Sequence, residues 1–345
     1  MSGATFLDTQ FPLIQAPMAG AQLGALAVAV SNAGALGSLP CALLTPDAAR
    51  AELTRIVAQT DRPINVNFFC HRSPVPDVQR EQAWRERLAP YYRELQLDPR
   101  AVAPGPTRAP FGSDAVEVLT EFKPAVVSFH FGLPAPDLVA RVRNLGAKIL
   151  SSATTVDEAR WLESRGVDAI IAQGYEAGGH RGMFLTDDLT TQIGSVALLP
   201  QIVKAVRVPV IAAGGISDAA GVRAALALGA AAVQVGTAYL LCPEATTSDV
   251  HRSALTSDAA RHTALTNVFT GRPGRGIVNR LMREVGPMSA AAPLFPRASI
   301  AVMPLRAAAE ARGSGDFSPL WAGQNVSGCS RQSAGTLTRQ LAGVE

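Results

Sequence analysis

The sequence predicts an α/β protein built as a (β/α)8 TIM barrel with a smaller, mainly helical cap domain. Three observations carry this. The chain holds eight short apolar runs, most are followed by an amphipathic stretch, and polar or glycine residues stand where the runs stop. Near-continuous apolar strands with helices between them make a parallel sheet covered on both faces. A doubly wound open sheet is the rival, and strand counting alone favours the barrel only modestly.

The elements follow in chain order. PLIQAP precedes the Ala/Leu-rich segment Ala21–Ser31, and ALGSLP precedes a helix opening at Thr45-Pro46-Asp47. INVNFF, AVVSFH, KILSSA, AIIAQG, PVIAAGG and AAVQVGT supply the remaining strands, with helical stretches such as Val156–Arg165 and Ala219–Leu228 between them. Two segments break the rhythm. His71 to Phe111 is rich in Pro, Arg and Glu, contains the helical stretch Val78–Tyr92, and reads as an excursion after the third strand. Cys242 to about Gly315 has helical patches and the loop TGRPGRG but no strand–helix alternation. Ser330–Gly343 then supplies the last barrel helix. The expected organisation is a barrel over 1–241 plus 316–345, with an excursion at 71–111, and a helical cap over 242–315.

Composition narrows the functional classes. The chain has 345 residues, 48% hydrophobic and 17% charged, enough to bury a large core. Its net charge of +3 comes from 31 basic and 28 acidic residues with no basic run or aromatic-interleaved stripe, so nucleic acid is a poor partner. Four widely separated cysteines lack CxxC or zinc-ligand spacing and suit a reduced compartment. The N-terminus does not read as a signal peptide, and apolar stretches fall short of spanning length. The expectation is a cytoplasmic protein, monomer or homodimer, acting on a small molecule without membrane or nucleic-acid partners.

The strand ends carry the chemistry. PVIAAGGISD places Gly214-Gly215 between strand and helix, with Ser217 or Asp218 available to cap it, and AAVQVGTAYL repeats the device with Gly236-Thr237. Glycine lets backbone N–H groups approach phosphate oxygens, a helix N-terminus favours negative charge, and barrels often bind phosphate after strands seven and eight. Ordinary turns between strand and helix are the bland alternative. No GxxxxGK[ST] or GxGxxG occurs, so neither ATP nor a Rossmann dinucleotide is implied. Ala16, Pro17 and Met18 offer small and polarizable surface for a flat heteroaromatic. Asn67 and Gln173 can each donate and accept along a ring edge, or simply cap their strands.

His180 lies in AQGYEAGGHRG just past the sixth strand, where Gly178 and Gly179 give the loop freedom to bring an imidazole against a bound ring. It is the candidate general base. His130, ending AVVSFH, is the competing candidate and could equally orient substrate or satisfy a buried contact. His71 reads as an anchor of the excursion, and His251 and His262 receive no role. No HExxH pair or carboxylate cluster is present, so no metal is expected.

PLIQAPMAG, VNFFCH, VSFHFGLP, AQGYEAGGHRG, PVIAAGGISD, VQVGTAYL and TGRPGRGIVNRLM, in this order, resemble the nitronate monooxygenase family, over about Phe11 to Gln324. PYYRELQL and LWAGQ resemble its class I subgroup. The resemblance implies an FMN-dependent barrel that oxidises alkyl nitronates, propionate 3-nitronate foremost, with O2 to a carbonyl compound and nitrite through a flavin semiquinone. It implies that His180 is catalytic and His130 binds substrate at the mouth. It places Met18, Asn67 and Gln173 at the flavin ring and Gly214, Gly215, Gly236 and Thr237 at its phosphate; Ala16, Pro17, Gly178, Gly179 and Gln234 are further candidate cofactor contacts. The chain departs from the class I pattern at Phe295, Ser299 and Met303, which make that stretch less polar. If these line the mouth, a charged nitronate binds less well than an apolar one. The nearest alternative activity is an FMN-dependent NAD(P)H:quinone or enoyl reductase of the same superfamily.

Overall fold

The computed structural model describes residues 6–98 and 108–344; part of the expected excursion, residues 99–107, lies outside them. Eight strands form one parallel sheet: β1 (Leu13–Gln15), β2 (Gly37–Pro40), β3 (Ile64–Phe69), β4 (Val126–His130), β5 (Lys148–Ala153), β6 (Ala169–Gln173), β8 (Val210–Ala213) and β9 (Ala232–Val235). Its order runs β1-β9-β8-β6-β5-β4-β3-β2. A parallel bridge between Ile14 and Leu36, at the threshold of β2, joins the two ends. That bridge closes the barrel and removes the open-sheet alternative.

The strands are largely apolar because both faces are covered. Leu13, Val66, Val127, Phe129, Ile149, Ile170 and Val233 pack outward with helix residues such as Leu26, Leu53, Leu119 and Leu162 in one large core. Ile14, Leu36, Val126, Leu150, Ile171 and Ile211 form the separate inner cluster. Six of the eight strands, all but β2 and β3, thus contribute alternate residues to two different cores.

The helices start where the sequence placed their caps. Pro46–Val57 is capped by Thr45, whose side chain accepts from the N–H of Ala48. Ala219–Ala227 is capped by Asp218 accepting from Gly221. Ala334–Ala342 covers the barrel beside Gly24–Asn32 and the Ala219–Ala227 helix.

A second core sits above the barrel. The helix Val78–Glu94 of the excursion supplies Trp84, Leu88, Tyr91 and Tyr92 to it, and Ala298–Glu310 supplies Ala301, Val302 and Leu305. The indole of Trp84 donates to the Ala298 carbonyl at 3.1 Å, and the Tyr92 hydroxyl donates to the Ala301 carbonyl at 2.6 Å. The excursion and the segment after the eighth strand therefore share one core.

That later segment is not made of helices alone. β10 (Thr263–Thr266) and β11 (Gly274–Ile277) pair antiparallel, and β11 pairs with β7 (Gly179–His180). TALT and GRGI are too short and too polar or glycine-rich to announce themselves as strands. Among the described residues no helix is long and apolar enough to cross a membrane.

Candidate active site

One cavity of about 240 Å³ opens at the C-terminal ends of the barrel strands. A single water needs only about 10–15 Å³ of such space, so the cavity suits a ligand of many atoms. Every residue singled out by the sequence as catalytic, substrate-binding or cofactor-binding lines it.

One end is made of backbone. Gly214 and Gly215 follow β8 with φ of +113° and +75°, values that a side chain resists. The N–H groups of Gly215 and Thr237 have no acceptor among the described residues. The Asn325 amide donates to the Gly215 carbonyl at 3.1 Å, and the Gly323 N–H donates to the Thr237 hydroxyl at 2.9 Å. Free N–H groups beside a helix start form a cradle for an anion. Nearby, the buried Oε1 of Gln234 also lacks a donor. Ala16 and Met18 approach Gly236 so closely that a Cβ there would meet Ala16 Cβ at 3.3 Å and Met18 Sδ at 3.6 Å.

The other end is made of side chains, centred on His180. Its Nε2 lies 2.9 Å from the Thr270 hydroxyl of the TGRPGRG loop. Rings surround the imidazole: Trp321 at 5.2 Å, Phe295 at 5.3 Å, and Phe69 and Phe131 both at 6.1 Å. Burial holds its pKa well below the usual histidine range, and Arg108, His130, Arg272 and His71 push the same way. His180 is therefore neutral at pH 7 and able to accept a proton.

The loop that carries it is fixed at several points. Gln173 Nε2 donates to the His180 carbonyl at 3.0 Å, and its Oε1 accepts from the Gly182 N–H at 2.7 Å. His130 Nε2 contacts that same carbonyl at 3.2 Å, while its Nδ1 lies 3.0 Å from the Ser152 hydroxyl. Burial lowers His130 to about 4, so it too is neutral. Arg181, fully buried, donates to the Gln192 side chain and to the Gly174 and Gln173 carbonyls. Gly178 has no room for a side chain, because a Cβ would sit 2.5 Å from the Gly323 nitrogen.

These contacts refine the expected roles. Gln173 and His130 line the cavity, but both are engaged in holding the His180 backbone. Asn67 donates to the Ser128 hydroxyl at 2.9 Å and to the Ser128 carbonyl at 3.2 Å. Gly178 lines the cavity and is also constrained from behind by Gly323. Phe295 packs its ring against His180, Met303 is 44% exposed and Ser299 Oγ donates to the Pro296 carbonyl, and none of the three lines the cavity. The less polar stretch thus bears on the site through Phe295 alone. His71 anchors the excursion as expected, with Nε2 3.0 Å from the Arg108 carbonyl.

Several wall residues escaped the sequence reading. Arg108, Trp321 and His251 line the cavity, and Thr270 reaches His180 from outside the lining. His251 Nε2 is buried without a partner. Only the glycine- and arginine-rich spelling of TGRPGRG and the quoted LWAGQ hinted that distant segments return to the barrel mouth. Among the described residues no group of three or more His, Cys, Asp or Glu could hold a metal.

A (β/α)8 barrel with free backbone N–H groups after its last two strands and a buried histidine at the other end of the same cavity defines a barrel protein with a small-molecule site at the C-terminal ends of its strands. The family model for nitronate monooxygenase matches residues 3–343. The chain is 43% identical to the nitronate monooxygenase of Paraburkholderia phytofirmans, over 96% of this chain and 91% of the relative. It is 42% identical to that of Pseudomonas aeruginosa, over 97% and 96%. The solved structure of nitroalkane oxidase from Streptomyces ansochromogenes superposes with a TM-score of 0.90 at 39% identity, covering 99% of this chain and 97% of that one. The chain belongs to the nitronate monooxygenase family and is an oxidoreductase.

Proposed function

We propose that the protein is an FMN-dependent monooxygenase that oxidises small alkyl nitronates, propionate 3-nitronate among them, with O2 to a carbonyl compound and nitrite. The observation that carries this is the polarity of this cavity: a backbone anion cradle at one end and a neutral histidine among aromatic rings at the other.

The residues present fit the cofactor. The Gly214-Gly215 and Gly236-Thr237 turns would hold its phosphate through free N–H groups. The donor-less Gln234 Oε1 and the Asn67 side chain that lines the cavity would take hydrogen bonds from the polar part, with Ala16, Pro17 and Met18 against the flat part. When bound, FMN supplies the electron-accepting ring and the protein supplies position and field.

The protein's own part centres on His180. Gln173 and His130 fix its carbonyl, so the imidazole is presented in one orientation. Its Nε2 sits by the Thr270 hydroxyl, at a place where it can hydrogen-bond a nitro oxygen or take the α-proton of a neutral nitroalkane. An arriving anion would offset the charges of Arg108 and Arg272 and raise the basicity of His180. Phe69, Phe131, Phe295 and Trp321 exclude water around it.

The test is oxygen uptake by the purified flavoprotein with propionate 3-nitronate, read beside nitrite release and with the released flavin identified. Stoichiometric nitrite supports the assignment. Rapid anaerobic bleaching by NADH without nitronate turnover would instead establish the reductase reading. Protein that is colourless and takes up no FMN would sink both.

A further inference from the structure

Arg108 stands out among the arginines of this protein that are fully or partly buried. Arg181 donates to three acceptors, and Arg252 reaches the carbonyls of Leu241, Cys242, Ala245 and Thr247. Arg306 pairs with Glu310 at 2.8 Å. The guanidinium of Arg108 has no hydrogen bond or ion pair among the described residues, and its Nη1 is buried and unsatisfied. Burying a guanidinium without a partner costs several kcal/mol, and a protein retains such a group where a ligand completes it.

Its position says which ligand. The Arg108 carbonyl is held by His71, and three residues on the Phe111 N–H donates to the Phe69 carbonyl at 2.8 Å. The strap is thereby pinned beside the end of β3. From there the guanidinium lines the same cavity as His180 and lies 5.4 Å from the centre of the Phe295 ring, which itself stands 5.3 Å from His180. The Phe295 ring touches both groups, so a small molecule at His180 has Arg108 within the same chamber. Arg306, facing that cavity too, has its charge taken by Glu310. Arg108 therefore leaves this end of the cavity positive. Its own pKa falls to about 10 through burial, which still keeps it charged at neutral pH.

We propose that Arg108 is the specificity-determining residue of the site, and that its guanidinium receives a second negative group on the substrate, a carboxylate separated from the reacting nitronate carbon. This rests on the nitronate reading above. It reverses what Phe295 suggests by itself: the aromatic wall is apolar, but the wall carries an uncompensated cation. A planar fork also suits a carboxylate better than a lysine would, because it can bind both oxygens.

The test compares propionate 3-nitronate with propyl-1-nitronate, which lacks the carboxylate, in wild type, Arg108→Gln and Arg108→Lys. In Arg108→Gln, KM for propionate 3-nitronate should rise on the order of 30-fold or more, the size of a lost buried charge contact. KM for propyl-1-nitronate should rise far less, since it loses only the general attraction of a positive wall, and kcat should change by the same factor for both nitronates, since His180 loses the same neighbouring charge in each case. Arg108→Lys, which keeps the charge and protects against a folding failure of the glutamine variant, should show a smaller rise for the carboxylate substrate alone. Equal changes in KM for both nitronates in either variant overturn the proposal and leave the nitronate reading standing. A second arm needs no turnover: butyrate binding measured by calorimetry on the holoprotein should weaken about 10-fold or more in Arg108→Gln. Unchanged butyrate affinity overturns the role of Arg108, and this arm decides it even if wild type oxidises neither nitronate.

Discussion

The two ends of the cavity are built by different means. The cradle after β8 and β9 is backbone: glycines in left-handed conformations, free N–H groups and a helix start capped by Asp218. The His180 end is a convergence of side chains from segments far apart in sequence, among them Phe69, Arg108, Thr270, Phe295 and Trp321. A backbone cradle recognises charge and little else, whereas side chains set chemistry and selectivity. Changes at one end should therefore alter how tightly the cofactor stays, and changes at the other what is done with it.

The strongest way to break that division is His180→Asn. Turnover of a neutral nitroalkane should fall by roughly 10²–10⁴, the scale of a lost general base, while flavin content stays unchanged. Oxidation of the preformed nitronate should fall far less. Equal losses on the two substrates would remove the base role, and loss of flavin would show that the two ends are not separable.

Acid should undo the side-chain end. His71 and His130 are both held near 4 by burial, below the usual 6.5 of an exposed histidine. Below 6.5 the unfolded chain binds protons that the folded chain refuses, so the stability conferred by the neutral rings is complete above 6.5 and lost as pH falls toward 4. The summed effect is on the order of 3 kcal/mol after allowance for local relaxation. Thermal unfolding followed from pH 7 to pH 4 measures it. In His130→Asn the slope between pH 6 and pH 4.5 should flatten, and an unchanged slope would mean that other groups dominate.

A smaller effect is expected from Gly214→Val. A side chain at φ +113° is strained and its Cβ would lie 3.1 Å from the Ala177 nitrogen. A penalty of about 1–3 kcal/mol corresponds to roughly a 5- to 150-fold weaker hold on FMN. The ratio of KM values between a charged and an uncharged nitronate should not move, because selectivity is assigned to the other end. A shifted ratio would blur the comparison.

The same contrast explains what could be read from sequence. PVIAAGGISD and AAVQVGTAYL are legible because cradle, strand and cap are contiguous, and every part has a local spelling. The barrel is legible because strands buried on both faces must be apolar along their length. The His180 end is legible where its residues belong to strand ends, as Asn67, His130 and Gln173 do, or to the glycine-rich loop that carries His180 itself. Arg108 sits in irregular chain, and its meaning comes from the absence of a carboxylate around it, which only three dimensions reveal. β7 and β11 likewise carry no apolar alternation, because pairing holds them through their backbones.

That pairing makes His180 a shared fixture. Its carbonyl is gripped by Gln173 and His130 of the barrel, while its strand is laddered to Gly274 of the small sheet. The imidazole is thus referenced to two frames at once, in the way a keystone is cut by both sides of an arch. Any misalignment between the two cores would be felt at this residue first. The protein's catalytic tolerance is then set less by the histidine than by how accurately the two cores meet around it.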